Sequence, residues 1–506
     1  MKADMDPRTK TQDFLAIAHQ FQLGHLVTES FHPDTRNLSR LVKTDVKKAH
    51  ALLGDVDRKA LGQLEGKADL LWELARSIRE TLESGNKVFM CGCGATGRLS
   101  LVLETLFRQQ NKDSDQVVSF MAGGDFALIK SVESFEDKTD YGERQLLELG
   151  FGPRDLLLAS TEGGETPFVI GACNTAAAVS ERAPYFLYCN PDEVLLPIHR
   201  SREVLENPAI KKINLTVGPM AISGSTRMQA STVLMLGIGV GLLYRHEGSA
   251  EFRKFFPDFL ARLTRTPYEL MAKFTELEAR LYGEKKYLNY LTDPHLGISI
   301  LTDTTERSPT FSLRGFENKL DASGESALAY LFLRDGKNAQ EAWEELLWRT
   351  PRPVEWKELD GRINRQKVLG FDISEAGWKE RRARLPSEDF FISYDSGEVR
   401  FQCQDLTEVF TWGTEPLVNH LMVKMLLNAH STLIMGLLDR YEGNVMTWVR
   451  PSNNKLIDRA ARYITQLLSV KGRSVPYETV VQKIFEEMEV VKENEPVVIR
   501  VVEKLS

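Results

Sequence analysis

Apolar and polar positions follow one another along the chain in blocks that predict strands and helices in turn. Short apolar runs of strand length stand at Val88–Cys91, Val117–Met121, Asp155–Ser160, Tyr185–Cys189 and Ile213–Val217. Between them the apolar positions take helical spacing, as in Leu99, Val102, Leu103 and Leu106. Strands that alternate with helices predict an α/β fold, a doubly wound parallel sheet with helices on both faces.

The second half of the chain repeats this outline. It has strands at Tyr287–Leu291, Asp389–Tyr394 and Val399–Cys403, and a long apolar helix, Leu417–Leu438. That helix is placed much as Met228–Leu243 is in the first half. We therefore predict two such domains in tandem. The predicted segments are a helical N-terminal part (1–75), a first domain (76–250), a helical linker (251–285), a second domain (286–442) and a helical C-terminal part (443–506).

Composition narrows the class of protein. The 506 residues carry a net charge of −7 and no basic tract, which argues against nucleic acid as a partner. The most apolar run, Thr232–Tyr244, is shorter than the roughly 20 residues that span a bilayer, so no membrane partner is expected. The segment Met1–Gln22 lacks the apolar core of a signal peptide. We expect a cytoplasmic protein whose five cysteines are buried free thiols.

The turn after the first strand is the strongest candidate for chemistry. Gly92, Gly94 and Gly97 lie between a strand and a helix start, where free amide groups and the helix dipole favour an anion. Thr96 adds a hydroxyl, so a phosphate is the preferred guest. The same glycine spacing matches the dinucleotide fingerprint, but the acidic residue which that interpretation needs, Asp125, comes too late. A dinucleotide and a purely structural turn remain alternatives.

Two further loops with hydroxyl groups follow later strands of the first half. Thr161–Pro167 contains Thr166 as a predicted helix N-cap, and Ser223–Arg227 precedes a long helix. One such residue alone is more typical of a helix cap, but three loops meet at the carboxyl edge of one parallel sheet. The predicted binding residues are Gly94, Ala95, Thr96, Gly97, Thr161, Gly163, Thr166, Ser223, Ser225 and Thr226.

The chain resembles the SIS (sugar isomerase) family, in the branch that holds N-acetylmuramic acid 6-phosphate etherase and the glucokinase regulatory protein. The etherase is a dimer of single-SIS chains, whereas the regulatory protein fuses two SIS domains; this chain resembles the fused form, with a shorter tail. The motifs that carry the resemblance are Leu26–Ser30, Gly92–Leu99, Ala122–Gly124, Val132–Asp137, Thr166–Val169, Cys189–Pro191, Val217–Pro219, Ser223–Met228, Gly443–Met446 and Ser452–Leu456.

The resemblance also implies a catalytic carboxylate pair. One family glutamate falls on Glu136, and the other belongs to a motif that Asp303–Phe311 fits, with Glu306 as the carboxylate. In the first half the aligned position is Leu106, and Glu104 is the nearest carboxylate. We therefore expect one composite site between the halves, with Lys455 adding charge from the C-terminal helix.

Three functions follow from the resemblance. A lyase would eliminate lactate from C3 of the opened sugar, with Glu306 and Glu136 as base and acid. A non-catalytic sensor would bind a sugar phosphate and pass the signal to a partner such as a sugar kinase. An aldose–ketose isomerase shares the fold, but we see no motif for its base. No metal or organic cofactor is implied, and a monomer or a homodimer is expected.

The second phosphate loop departs from the family pattern. It reads Glu162-Gly163-Gly164-Glu165, where the family has a loop rich in serine and glycine with an arginine. Two carboxylates beside a phosphate would repel it. They would face an amine or a hydroxyl of the ligand instead, or the ligand is not the usual one of the family.

Overall fold

The structure is a computed structural model that describes residues 6–20, 23–112, 114–132, 135–321, 326–359, 361–451, 453–492 and 495–506. Glu133, Ser134 and Ser452, which belong to two of the motifs quoted above, lie outside the described residues.

The chain begins with helices that lead into the first sheet. They are α1 (Pro7–Ile17), α2 (Leu38–Thr44), α3 (Val46–Gly62) and α4 (Ala68–Glu83). A short 3-10 turn, Val27–Glu29, lies between the first two. The predicted domain boundary after residue 75 falls inside α4, and we propose to move it to the start of that helix.

The first sheet is entirely parallel. Its strands are β1 (Val88–Gly92), β2 (Val117–Met121), β3 (Leu156–Thr161), β4 (Tyr185–Tyr188) and β5 (Lys211–Asn214), in the spatial order β2-β1-β3-β4-β5. The helices around it are α5 (Ala95–Gln110), α6 (Thr139–Glu148), α7 (Pro167–Val179), α8 (Asp192–Leu195), α9 (His199–Glu206) and α10 (Gln229–Leu243). The first three strands are buried along their whole length, as the continuous apolar runs predict.

Two helices, α11 (Ser249–Thr264) and α12 (Ala272–Gly283), lead to the second sheet. Its strands are β6 (Tyr287–Thr292), β7 (Ala329–Leu333), β8 (Ser387–Asp395), β9 (Glu398–Cys403) and β10 (Leu406–Thr411), in the order β10-β9-β8-β6-β7. The accompanying helices are α13 (Pro294–Phe311), α14 (Ala339–Leu347), α15 (Arg365–Leu369), α16 (Glu375–Arg384) and α17 (Pro416–Leu437). The strands β7, β6 and β8 are parallel to one another.

The two sheets correspond strand by strand. In both, the first strand lies second from one edge, next to the strand that follows it in the chain, and the remaining three lie in chain order on its other side. The prediction of two α/β domains in tandem is confirmed. The second sheet differs in one respect, because β9 is antiparallel to both of its neighbours. The helix that joins β3 to β4 is replaced there by a tight turn, which can only join antiparallel strands.

The chain ends with a small hairpin and three helices. These are β11 (Tyr441–Glu442), β12 (Val445–Met446), α18 (Asn454–Val470), α19 (Tyr477–Met488) and α20 (Val497–Leu505). The two domains pack through matching helices, α10 against α17 and α5 against α13. All five cysteines are buried free thiols, as expected. Among the described helices, none is long and apolar enough to cross a bilayer.

Strand boundaries account for the main errors at the level of elements. The strand predicted at Ile213–Val217 lies at Lys211–Asn214, and the one predicted at Asp155–Ser160 begins and ends one residue later. Four strands are missing from the sequence prediction, namely β7, β10 and the two short strands of the hairpin, β11 and β12. A short buried apolar run such as β7 cannot be told from a helix by periodicity.

Candidate functional site

The glycine turn joins β1 to α5 in a conformation that needs glycine. Gly94 has φ 53° and ψ −121°, a region that side chains avoid. At Gly97 an added Cβ would lie 2.4 Å from Cβ of Met121, so α5 and β2 are in close contact there. The Thr96 hydroxyl accepts from the Cys93 amide over 3.0 Å and donates to the Cys93 carbonyl over 2.9 Å. That hydroxyl therefore stabilises the turn itself.

The second loop follows β3, the neighbour of β1. The hydroxyl groups of Thr161 and Thr166 lie 2.9 Å apart in a mutual hydrogen bond, and the amide of Gly164 donates to Thr161 over 3.3 Å. The side-chain amide of Asn190 donates from Nδ2 to the carbonyl of Gly163 over 3.1 Å. Both predicted hydroxyls of this loop thus have partners within it, which leaves backbone groups and glutamates to face a ligand.

The third loop, before α10, is covered by the two ends of the chain. Ser223 is fully buried, and its hydroxyl has no hydrogen-bond partner among the residues that the structure describes. Ser225 is buried and Thr226 is half-buried. The Tyr463 hydroxyl in α18 donates to the Ser223 carbonyl over 2.6 Å. The amide of Gly224 donates to the carbonyl of Thr28 over 3.1 Å.

Glu306 reaches this region from the second domain. It lies on α13, and its Oε1 accepts from Nη1 of Arg98 over 3.0 Å. Arg98 stands in the first turn of α5, one residue after Gly97, and its other nitrogen, Nη2, donates to the carbonyls of Ala127 and Leu128. Both side chains are buried. The carboxylate predicted for the second half of the chain therefore lies next to the glycine turn of the first domain.

Two further carboxyls lie near the turn. Burial raises the pKa of Glu136, and Lys455 opposes that rise. Burial also raises the pKa of Glu162 to about 8, with the nearby charge of Glu306 adding to the effect. Oε1 of Glu162 is buried and has no hydrogen-bond partner within the described part of the chain. Glu162 is therefore protonated near neutral pH, whereas Glu306 is held in an ion pair by Arg98.

Helix α18 brings two cations to the loops, and each meets a carboxylate. Nζ of Lys455 lies 2.9 Å from Oε1 of Glu165, in the second loop. Arg459, one helical turn later, pairs with Glu29 over 2.6 Å. The first pair joins α18 to the first domain, and the second joins α18 to the N-terminal segment.

Behind Glu306 the two domains are tightly packed. Arg227 pairs with Asp303 over 3.1 Å, and Lys424 on α17 donates to the Arg227 carbonyl over 2.8 Å. Burial lowers the pKa of Lys424 to about 8. A cavity between these side chains and Glu306 has a volume of about 10 Å³. It has room for about one water molecule and none for a sugar.

The sequence-predicted residues thus gather at one edge of the first sheet, together with Glu306 and Lys455. Sequence reasoning assigned no role to several side chains that hold the site together. Arg98 stood inside the quoted glycine motif, and Arg459 lies four residues after Lys455 on the same helix face, so the spacing could have identified both. The remaining ones, which depend on tertiary contacts, are Glu29, Asn190, Arg200, Arg227 and Lys424.

Comparison with known proteins shows what the chain is similar to. Residues 72–177 match the family described as glucokinase regulatory protein N-terminal SIS domain. N-acetylmuramic acid 6-phosphate etherase of Photorhabdus laumondii is 29% identical over 218 residues, which are 43% of this chain and 68% of that protein. The etherase of Synechococcus elongatus is 30% identical over 213 residues, 42% of this chain and 64% of the relative, so this chain matches about two thirds of the length of such relatives. The first domain is thus similar to an SIS domain.

The solved structures found by comparison are only distantly similar to this chain. The tagatose-6-phosphate ketose/aldose isomerase from Escherichia coli aligns over 80% of this chain and 95% of its own, at 12% identity and a TM-score of 0.46. Such a score carries no argument about the activity. Among the described residues of this chain, no group of three or more histidine, cysteine, aspartate or glutamate side chains is arranged to hold a metal ion.

Proposed function

We propose that this protein binds a sugar phosphate in one composite site, formed by three loops of the first domain and by Glu306 of the second. The observation that carries the proposal is the contact between Glu306 and Arg98, one residue beyond the glycine turn. The amides of Gly94 and Ala95, at the N-terminal end of α5, would receive the phosphate. The curated relatives are named for a sugar phosphate, N-acetylmuramic acid 6-phosphate, which fits this choice.

The position of the sugar follows from the space around Glu306. The cavity on the inner side, of about 10 Å³, is too small for it. The sugar would therefore lie on the outer side, where the turn Val27–Glu29 and α18 cover the loops. We expect these two segments to move apart when the ligand enters, with the ion pair between Glu29 and Arg459 as one of the contacts that must adjust.

A lyase activity is the second candidate, favoured by the carboxyls at the site. Elimination of lactate needs a base for the proton on C2 and an acid for the leaving oxygen. Glu306 forms an ion pair with Arg98, and the raised pKa of Glu136 suits a group that carries a proton. Glu306 would then act as the base and Glu136 as the acid, on the substrate for which the relatives are named.

The fused two-domain form favours a different use of the same site. A sensor would bind the sugar phosphate without turnover and pass the signal to a partner such as a sugar kinase. Release of lactate separates the two, because only the lyase produces it.

Binding of sugar phosphates to the purified protein tests the proposal. We would record thermal unfolding with N-acetylmuramic acid 6-phosphate, glucosamine 6-phosphate and fructose 6-phosphate. A ligand at about ten times its Kd stabilises the folded protein by about 1.4 kcal/mol, which is a measurable rise in Tm. At least one of them should raise the Tm, while the unphosphorylated sugars serve as controls. If none does so at millimolar concentration, the proposal is wrong.

A further inference from the structure

Glu165, in the second loop, binds the cations that a phosphate would be expected to use. Its Oε1 lies 2.9 Å from Nζ of Lys455, and its Oε2 pairs with Arg200. Nε of Arg200 also donates to the Glu165 carbonyl over 2.6 Å. With only 3% of its surface exposed, the residue is enclosed by the loop, α9 and α18.

The charge state of this group follows from its neighbours. Burial alone would raise the pKa of Glu165, but Lys455 and Arg200 outweigh burial and hold it at about 2. The carboxylate is therefore negative at every pH at which the protein would be handled. In the same way, Glu165 keeps the pKa of Lys455 above its usual value, so the pair is fully ionised.

The other cation of α18 that faces the loops is engaged in the same manner. Arg459 donates to both oxygens of Glu29, over 3.0 and 2.6 Å. A phosphate that arrives at the loops thus meets ammonium and guanidinium groups that already face carboxylates. Its remaining contacts are backbone amides at the glycine turn, because the hydroxyls of Thr96 and Thr161 are used inside their own loops.

We propose that Glu165 is a specificity-determining residue, a tethered anion that holds Lys455 and competes with the phosphate group of a ligand for it. This inference rests on the proposed function, since it concerns the same site. A phosphate monoester carries up to two negative charges near pH 7, so it is repelled by Glu165 and also loses the attraction of Lys455. The native site therefore binds a phosphate group less tightly than Lys455 alone would allow, and neutralising Glu165 should make it a stronger phosphate site.

The test measures binding by calorimetry, with inorganic phosphate and fructose 6-phosphate as the probes. E165Q keeps the shape of the side chain and removes the charge, which frees Lys455. We expect both probes to bind E165Q about tenfold or more tightly than the wild type. The gain should disappear in the double variant E165Q/K455M, because it depends on the released ammonium group.

A matched control removes a carboxylate from an ion pair elsewhere. Glu415 pairs with Arg262 over 2.7 Å at a half-exposed position in the second domain, so E415Q should leave the affinity unchanged. E165S is the second variant if E165Q folds poorly, since it removes the charge with a smaller side chain. Far-UV circular dichroism and gel filtration establish that each variant is folded before it is titrated.

The outcomes separate this inference from the proposed function. Tighter binding by E165Q, lost again in E165Q/K455M, supports the role of Glu165. If the wild type binds fructose 6-phosphate and E165Q binds it equally or more weakly, the inference is wrong and the proposed function stands. If neither the wild type nor E165Q binds any probe, both fail, because the inference requires that the variant binds.

Discussion

Nη1 of Arg98 and Oε1 of Glu306 are 3.0 Å apart, in an ion pair whose side chains are 2% and 7% exposed. The arginine belongs to the first turn of α5 and the glutamate to α13, so the pair joins the phosphate turn of one domain to the middle of the corresponding helix in the other. A buried charge that loses its partner is strongly unfavourable. The relationship therefore makes the two domains depend on each other at the site.

Removal of one partner of this pair should destabilise the protein far more than removal of both. We expect R98M and E306Q each to lower the free energy of unfolding by about 3–5 kcal/mol, because each leaves a buried charge alone. The double variant R98M/E306Q should lower the free energy of unfolding by much less than the sum of the two single effects. Urea denaturation of all four proteins gives the coupling energy directly.

The exposed pair Arg76–Glu80, on α4, is the control for this cycle. The two side chains are 53% and 55% exposed, and their charged groups lie 3.7 Å apart. R76M should therefore lower the free energy of unfolding by less than about 1 kcal/mol. Additive effects of R98M and E306Q would contradict the account, since they would mean that the two groups do not interact.

The ion pairs of Glu104 determine how we expect stability to change in acid. Burial would raise its pKa, but Arg349, Arg352 and Arg108 hold it at about 2. Because this pKa lies below the ordinary value, the stabilisation is complete above about pH 4.5 and is lost as the pH falls toward 2. E104Q should lower the free energy of unfolding by up to about 3 kcal/mol at pH 7, and the difference from the wild type should shrink below pH 4.5.

Urea unfolding at pH 7, 5 and 3.5 checks this prediction. E486Q is the control, because Glu486 pairs with Lys483 over 2.8 Å at a half-exposed position. The two arginines from the segment after α14 bind Glu104 on α5, so the contact also joins the domains. A difference between wild type and E104Q that stays constant with pH would contradict the prediction, because it would mean that the pKa of Glu104 is the same in the folded and the unfolded protein.

At Glu162 we expect the opposite dependence of stability on pH. Its folded-state pKa of about 8 lies above the ordinary value, so the folded protein keeps a proton that the unfolded chain releases. The contribution of Glu162 to stability therefore falls as the pH rises from about 4.5 to 8. E162Q should match the wild type near pH 4.5 and exceed it by one to a few kcal/mol (an order-of-magnitude figure) at pH 8. Equal stability of the two proteins at pH 8 would count against a buried neutral carboxyl.

The lyase candidate makes its own prediction at Glu306. E306Q should release no lactate from N-acetylmuramic acid 6-phosphate, because the amide cannot act as the base, while binding of the sugar phosphate stays nearly intact. An enzymatic lactate assay and calorimetry on the same samples measure the two quantities. If the wild type itself releases no lactate, the lyase function is wrong and the sensor remains.

The sequence was sufficient for the parts of the fold that depend on local patterns. Continuous apolar runs identified β1, β2 and β3, and the glycine spacing identified the turn before α5. It failed at β10, an edge strand in which polar and apolar residues are mixed, and at β9, whose direction is set by the length of the preceding turn. Direction and edge position are properties of the assembled sheet.

The candidate site shows the same limit. The three loops and Glu306 could be predicted, because each follows a strand or belongs to a recognisable motif. The hydroxyls of Thr96 and Thr161 looked like phosphate ligands in the sequence, yet in the structure they form bonds inside their own loops. The partners of Glu165 lie 35 and 290 residues away, so no local pattern could have shown that this carboxylate faces two cations.

The central claim, one sugar-phosphate site shared by two unequal domains, is tested most directly by the stoichiometry of binding. Calorimetric titration with the sugar phosphate that raises the Tm most should give one equivalent per chain. Two equivalents per chain would contradict the claim, since the turn after β6 would then be a working site of its own, and the composite site would be one of a pair.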